Sequence, residues 1–202
     1  MPKRGQFITL EGIEGSGKST QIRAIASYFR REKKKYIVLR EPGGTKISEQ
    51  IREILLAKKN SKMVAESELL LYLAARAQIV RETIEPSLKK GINVICDRFF
   101  DSTMAYQGYG LDMDKKEITR LIEYATGGLS PDLTILLDVP VSVGLKRAGN
   151  TDRIEARSSR YHNKVRRGFL DIAKKNKKRI KVIDGQSDKK SISEEIKGYL
   201  KK

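Results

Sequence analysis

The run "FITLEGIEGSGKST", residues 7 to 20, restricts the architecture of this chain more than any other. An apolar, β-branched stretch leads straight into Gly12-x-x-x-x-Gly17-Lys18-Ser19, and a helical pattern follows from Lys18. Glycines at that spacing let the backbone curl so that successive N–H groups point at one anion, with the positive end of the next helix behind them. Strand, nest and helix in that order begin a βαβ unit, so a parallel sheet is expected. The nest, comprising Gly12, Ile13, Glu14, Gly15, Ser16, Gly17, Lys18, Ser19 and Thr20, is the candidate cradle for a nucleoside triphosphate. Lys18 is placed to reach the outer phosphates and the Ser19 hydroxyl to meet Mg²⁺. Two carboxylates, Glu11 and Glu14, sit beside or within this loop, where an inward-pointing acid would repel the ligand. Each must face something else.

The other short apolar runs are "YIVLR" (36–40), "INVICD" (92–97), "LTILLD" (133–138) and "IKVID" (180–184). They mostly lack a polar face, as strands buried on both sides do. Helical patterns lie between them at 18–31, 46–57, 65–90, 114–126, 141–148, 154–175 and 191–201. This alternation predicts an α/β fold of three layers, a five-stranded parallel sheet flanked by helices, with ligands at the carboxyl ends of the strands. At 202 residues with no linker-like segment, a single domain over 1–202 is expected. The one cysteine, Cys96, lies in an apolar run and cannot form an intrachain disulfide, which suits a core position and a cytoplasmic setting. No apolar run nears the roughly 18–20 residues of a membrane span, so no membrane partner is expected. The net charge of +17 is dispersed in blocks at 30–35, 57–60, 174–179 and Lys201–Lys202. Such blocks read as solvated helix ends, and no specific nucleic-acid partner is expected.

Three segments point to a second ligand opposite the nest. In "CDRFFDSTMAYQGYG" (96–110), Asp97 and Arg98 end a buried strand, where a carboxylate can hold Mg²⁺ through water and a guanidinium can grip a phosphate. A purely structural Asp–Arg pair is the alternative. "REPGGT" (40–45) follows another strand and lets the backbone lie close to a ligand, or is simply a turn. In "LYLAARAQ" (71–78), Tyr72 and Arg76 are four residues apart and share a helix face, which offers a stacking ring and a fork of donors to a nucleobase. An amphipathic helix edge would read the same way.

In order, "EGIEGSGKST", "REPGGT", "LAAR", "DRFFDSTMAYQG", "PDLTILLDV" and the lid-like "KRAGNTDRIE" resemble the thymidylate kinases, the nucleoside monophosphate kinases that move the γ-phosphate of ATP to dTMP. The resemblance covers about residues 5 to 184. It implies ATP and Mg²⁺ as ligands, with Lys18 on the transferred phosphate and Ser19, Asp97 and Glu11 around the metal, Glu11 serving its water shell or a nearby arginine. It implies that Arg98 holds the acceptor phosphate, Arg76 reaches the thymine edge and Tyr72 stacks on it, while Pro42, Thr103, Tyr106 and Gln107 shape the pocket. Glu14 is similar to an acidic loop residue that faces the acceptor's sugar hydroxyl, and a homodimer through the long helix is implied as well.

Two features depart from the usual family pattern. Tyr72 stands where phenylalanine is more common, adding a hydroxyl to satisfy. The loop carries no arginine at Ile13, Glu14, Gly15 or Ser16, so the charge needed during transfer falls to a lid at about 147–160. Of Arg147, Arg153, Arg157 and Arg160, the catalytic candidates are Arg153 first and Arg147 second. His162, the one histidine, has no evident catalytic partner, and "DGQSDKK" (184–190) is a candidate for the adenine side. No Asn-Lys-x-Asp guanine reader is present, which disfavours a GTPase, whereas a kinase for dUMP or dCMP remains a rival because one methyl group is worth only about 1–3 kcal/mol.

Overall fold

Five strands, β1 (Phe7–Glu11), β2 (Tyr36–Arg40), β3 (Asn93–Asp97), β4 (Leu133–Asp138) and β5 (Ile180–Asp184), form one parallel sheet in the order β2-β3-β1-β4-β5. The structure is a computed structural model and describes residues 4–149 and 152–200. The central strand β1 is buried along its whole length, as its unbroken apolar run requires. Register then places the site: Leu10 lies opposite Asp97 on one side and Ile135 on the other, and Asp97 lies opposite Arg40. The carboxyl ends of β1, β2 and β3 therefore open onto the same edge.

Alternate residues of the strands feed opposite layers. Ile8, Leu10, Ile135 and Leu137 pack against α1 (Lys18–Arg31) and α9 (Lys189–Leu200) through Ile22, Ile25, Phe29, Ile192 and Ile196. Phe7, Val94 and Cys96 face the other way, onto Ile79, Val80, Ile84, Leu88 and Phe99. That layer also holds α2 (Lys46–Leu56), α3 (Ala65–Ile79), α4 (Glu85–Lys89), α5 (Phe100–Thr103), α6 (Lys115–Thr126) and α8 (Ser159–Lys175), while α7 (Val141–Ala148) leaves the end of β4 towards the cleft.

The helices depart from the sequence pattern in several places, and two of the departures have a local cause. The expected helix over 65–90 is interrupted by a π-helical turn at Val80–Ile84. Pro86 near the start of α4 lacks an N–H and crowds the carbonyl four residues back, and the wider turn just before it accommodates both. Residues 154–158 stay outside α8. Asp152 Oδ1 accepts from the N–H groups of Ile154 and Glu155 to fold a turn, and Ser158 then caps α8 at Tyr161 N. Met104–Gly110 forms a second π-helical segment after α5, where the sequence pattern predicts no helix. The lid span of about 147–160 is described except at 150 and 151, which lie outside the described residues, as do Lys201 and Lys202.

Candidate active site

A cleft of about 470 Å³ opens at the shared strand edge. On one wall is the phosphate nest. Its tight course depends on a glycine-to-glycine contact: a Cβ on Gly15, itself at φ 68°, would collide with the carbonyl of Gly144, and a Cβ on Gly144 would meet Glu14 O at 2.6 Å. This lets α7 lie against the loop, and Arg147, one turn further along, lines the cleft. Lys18 Nζ donates to the carbonyls of Gly12 (3.1 Å) and Ile13 (3.0 Å). Burial first, then the nearby Arg98 charge, pushes its ammonium down to about 8, against the opposing pull of Asp97, Glu14 and Glu11. Ser19 and Asp97 line the same cleft.

The second wall is built around Arg98. Its φ of 69° is unusual for a side-chain-bearing residue, and its own N–H is fixed on Leu10 O at 3.0 Å. The guanidinium donates to Gly12 O (2.9 Å), Ser102 Oγ (3.1 Å) and Glu14 Oε1 (3.0 Å), and lies 5.0 Å over the Tyr106 ring. Glu14 Oε1 also accepts from the Tyr106 hydroxyl at 2.6 Å. Glu14 thus faces Arg98 and Tyr106 across the cleft. Burial works against its charged form, but Arg98, Lys18 and Tyr106 outweigh it and hold the carboxyl below its ordinary value.

Glu11 turns elsewhere, which corrects its assignment to the metal's surroundings. Its two oxygens accept from Phe99 N (2.7 Å) and Ser102 Oγ (2.6 Å) at the start of α5, inside the protein and off the cleft wall. Burial and the Asp101 charge push its carboxyl up to about 8. The Arg98 charge favours its ionised form, as expected of a nearby arginine.

The base-recognition candidates gather as expected. Tyr72, Arg76, Pro42, Thr103, Tyr106 and Gln107 all line the cleft. Arg76 is held by Glu41 (Nε to Oε2, 2.7 Å) and Thr103 (Nη1 to Oγ1, 2.7 Å), and Pro42 O accepts from Arg52 at 2.9 Å. Glu41, which holds Arg76, was not singled out from the sequence, although "REPGGT" spells an acid beside the proline. Arg40 and Arg52 line the cleft too and were also missed.

The lid arginines separate. Arg153 is buried away from the cleft wall, with Nε on Leu55 O (2.8 Å) and Nη2 paired with Glu68 Oε2 (2.6 Å). Arg157 joins the same carboxylate at 2.7 Å, Gln107 Nε2 reaches its other oxygen at 2.9 Å, and Arg160 is exposed. Arg147 is the lid arginine that lines the cleft in this conformation, whereas Arg153, ranked first from the sequence, would have to leave Glu68 to reach a phosphate. Glu68 carried no signal in the sequence beyond its place on a helix. His162, read as lacking an evident catalytic partner, is buried with its Nδ1 3.6 Å from Glu14 Oε2, beyond hydrogen-bond reach. Gly185, in the 184–190 turn, packs against Ser16 O of the nest.

A family model described as thymidylate kinase matches residues 10–196. The chain belongs to the thymidylate kinase family. It is 50% identical over 200 residues to a thymidylate kinase of Carboxydothermus hydrogenoformans, covering 98% of this chain and 97% of that one. It is 49% identical over 193 residues to one of Kosmotoga olearia, covering 94% and 92%. The crystal structure of thymidylate kinase from Ehrlichia chaffeensis superposes with a TM-score of 0.80 at 36% identity, over 98% of this chain and 99% of that one. The chain is accordingly a kinase, a phosphotransferase, on the α/β P-loop fold expected from its sequence.

Residues on the nest side fit a divalent cation. Asp97 Oδ1 is buried without a hydrogen-bond partner, and Ser19 lines the cleft with it. Among the described residues no group of three or more His, Cys, Asp or Glu side chains could hold a metal alone. That suits Mg²⁺, which keeps waters and takes phosphate oxygens besides one or two protein ligands. Also among the described residues, no helix is long and apolar enough to cross a membrane.

Proposed function

We infer that the protein transfers the γ-phosphate of ATP to dTMP, giving ADP and dTDP for dTTP synthesis. The observation that carries this reading is the position of Arg98, which bonds the nest at Gly12 O and Glu14 and the opposite wall at Ser102 Oγ, with Tyr106 beneath it, in one side chain. The nest and Lys18 hold the triphosphate. Arg98 exchanges Glu14 for the acceptor phosphate, Glu14 and Tyr106 meet the sugar, and Tyr72, Arg76, Pro42, Thr103 and Gln107 form the thymine pocket. Phosphoryl transfer asks little covalent chemistry of a protein, so these groups act by aligning two phosphates and offsetting charge. Arg147 supplies lid charge from its place on the cleft wall, and Arg153 does so only by leaving Glu68. Bound through Ser19 and Asp97, Mg²⁺ would screen the phosphate oxygens as transfer proceeds.

A homodimer is supported by apolar side chains left exposed on neighbouring helices, Ile47 and Ile54 on α2 and Leu70 on α3, with Val64 just before it. The buried free thiol of Cys96 suits the reducing cytoplasm. The test of the function is ADP release from MgATP with dTMP, dUMP, dCMP, dGMP or AMP offered separately at equal concentration. dTMP is expected to dominate. Equal rates with several acceptors, or none with dTMP, would refute the assignment of the Tyr72 and Arg76 pocket.

A further inference from the structure

His162, on α8, is fully buried, and neither ring nitrogen has a hydrogen-bond partner. Buried polar groups are almost always bonded, so such an imidazole needs a reason to be there. The facing group supplies one. Nδ1 lies 3.6 Å from Glu14 Oε2, just outside hydrogen-bond reach. That oxygen is also buried and unpartnered, while the other, Oε1, carries both Tyr106 and Arg98. The Tyr161 ring packs edge-on against the imidazole at 5.3 Å between centroids and limits its tilt. Two buried groups of complementary chemistry thus stand a few tenths of an ångström apart from bonding.

Arg98 explains why the second bond is needed. The guanidinium that now serves Glu14 is the one best placed for an acceptor phosphate, and it cannot fully serve both. When it shifts, Tyr106 alone remains on the carboxylate. We propose that His162 is a positioning residue for Glu14: its Nδ1–H bonds Oε2 as the acceptor draws Arg98 away, and so keeps the carboxylate aimed at the sugar hydroxyl. This rests on the dTMP kinase reading. No proton or bond is exchanged, and His162 touches neither substrate.

The experiment is steady-state kinetics on the full chain, with the parent assayed on dTMP first. A parent inactive on dTMP overturns both readings; an active parent isolates His162. His162→Phe keeps a ring without nitrogens and is expected to raise the KM for dTMP about tenfold or more, with the KM for ATP within about twofold. His162→Asn, whose amide N–H occupies the place of Nδ1, should bring the KM for dTMP back to within about threefold of the parent. In a Glu14→Ala background, which removes the group that His162 would bond, His162→Phe should add less than about twofold, the mark of a coupled pair. An unchanged KM for dTMP, equal rises for both substrates, failure of Asn to rescue, or an undiminished effect beside Glu14→Ala would each overturn the proposal. Because the chain has one histidine, ¹⁵N NMR of its imidazole gives an independent readout if His162→Phe does not fold. A proton on Nδ1 whose resonance moves on adding dTMP supports the proposal, and a bare Nδ1 or an unmoved resonance refutes it.

Discussion

Glu68 fastens the lid to the body of the protein, and replacing it by glutamine tests that arrangement directly. The carboxylate is 0% exposed, lies in an ion pair 2.6 Å from Arg153 Nη2, and accepts from Arg157 Nη2 at 2.7 Å and Nη1 at 3.2 Å and from Gln107 Nε2 at 2.9 Å. Glu68→Gln keeps the volume and removes the charge, leaving two guanidiniums beside a neutral amide that turns one donor end towards them. Losing one partner of a buried ion pair costs about 3–5 kcal/mol. Arg157 is 20% exposed and can turn to water, and the new amide oxygen still accepts a bond, so the lower end applies, about 3 kcal/mol. At about 2–4 °C per kcal/mol for a domain of this size, Tm should fall by about 6–12 °C. Calorimetry at neutral pH measures that fall, and trypsin cleavage after Arg153 and Arg157 should accelerate as the arginines come loose. A Tm within about 2 °C of the parent, with unchanged cleavage, would mean that the lid is held by something other than Glu68.

The two lid arginines should separate by assay. Arg147→Ala is expected to lower kcat by about 10²-fold or more with Tm unchanged, since Arg147 is exposed and charge on the transferring phosphoryl group is strongly rate-determining. Arg153→Ala should lower Tm first, and a parental kcat in Arg147→Ala would return the catalytic role to Arg153. Glu11 predicts a pH dependence of stability. Its carboxyl sits at about 8 in the fold against 4.5 ordinarily, so between those values the folded state keeps a proton that the unfolded chain releases. Stability must then fall as pH rises from about 4.5 to 8, by up to a few kcal/mol, and Glu11→Gln should flatten the slope. Urea unfolding at the two ends of that window measures it, and equal slopes in the two proteins would refute the assignment.

What the sequence makes legible here is whatever is decided locally. β1, β2, β4 and β5 occupy the expected runs, and β3 begins one residue later, because buried parallel strands are continuous apolar runs with nothing else to mark them. The nest is legible for the same reason: strand, glycines and helix are neighbours in sequence. The π-helical turns are not, since an extra residue in a turn leaves the apolar period nearly unchanged; Pro86 is the only local mark of the first. Ion pairing is still less legible. The sequence supplies arginines and acids in number, but which of them meet depends on packing. Glu11 reads as a cleft acid and caps α5; Arg153 reads as a cleft cation and is taken by Glu68; His162 reads as idle and faces Glu14.

The same point explains why the opening pair of acids behaves so differently across three residues. Glu11 ends a strand whose register carries its side chain under α5, where Asp101 is near and its proton is retained; Glu14 rides the loop outward, where two cations and a phenol favour its charge. Both are tied to Arg98, one through the field it exerts and one by a hydrogen bond. Arg98 is held in a left-handed conformation that costs on the order of 1–3 kcal/mol, and it keeps that conformation because its N–H is on β1 while its guanidinium is on Gly12, Ser102 and Glu14. An acceptor phosphate that draws the guanidinium away therefore loosens the nest at Gly12 and the carboxylate at Glu14 in one movement. On the proposed dTMP kinase reading Arg98 serves both sites, so the affinity of either is expected to depend on whether the other is filled.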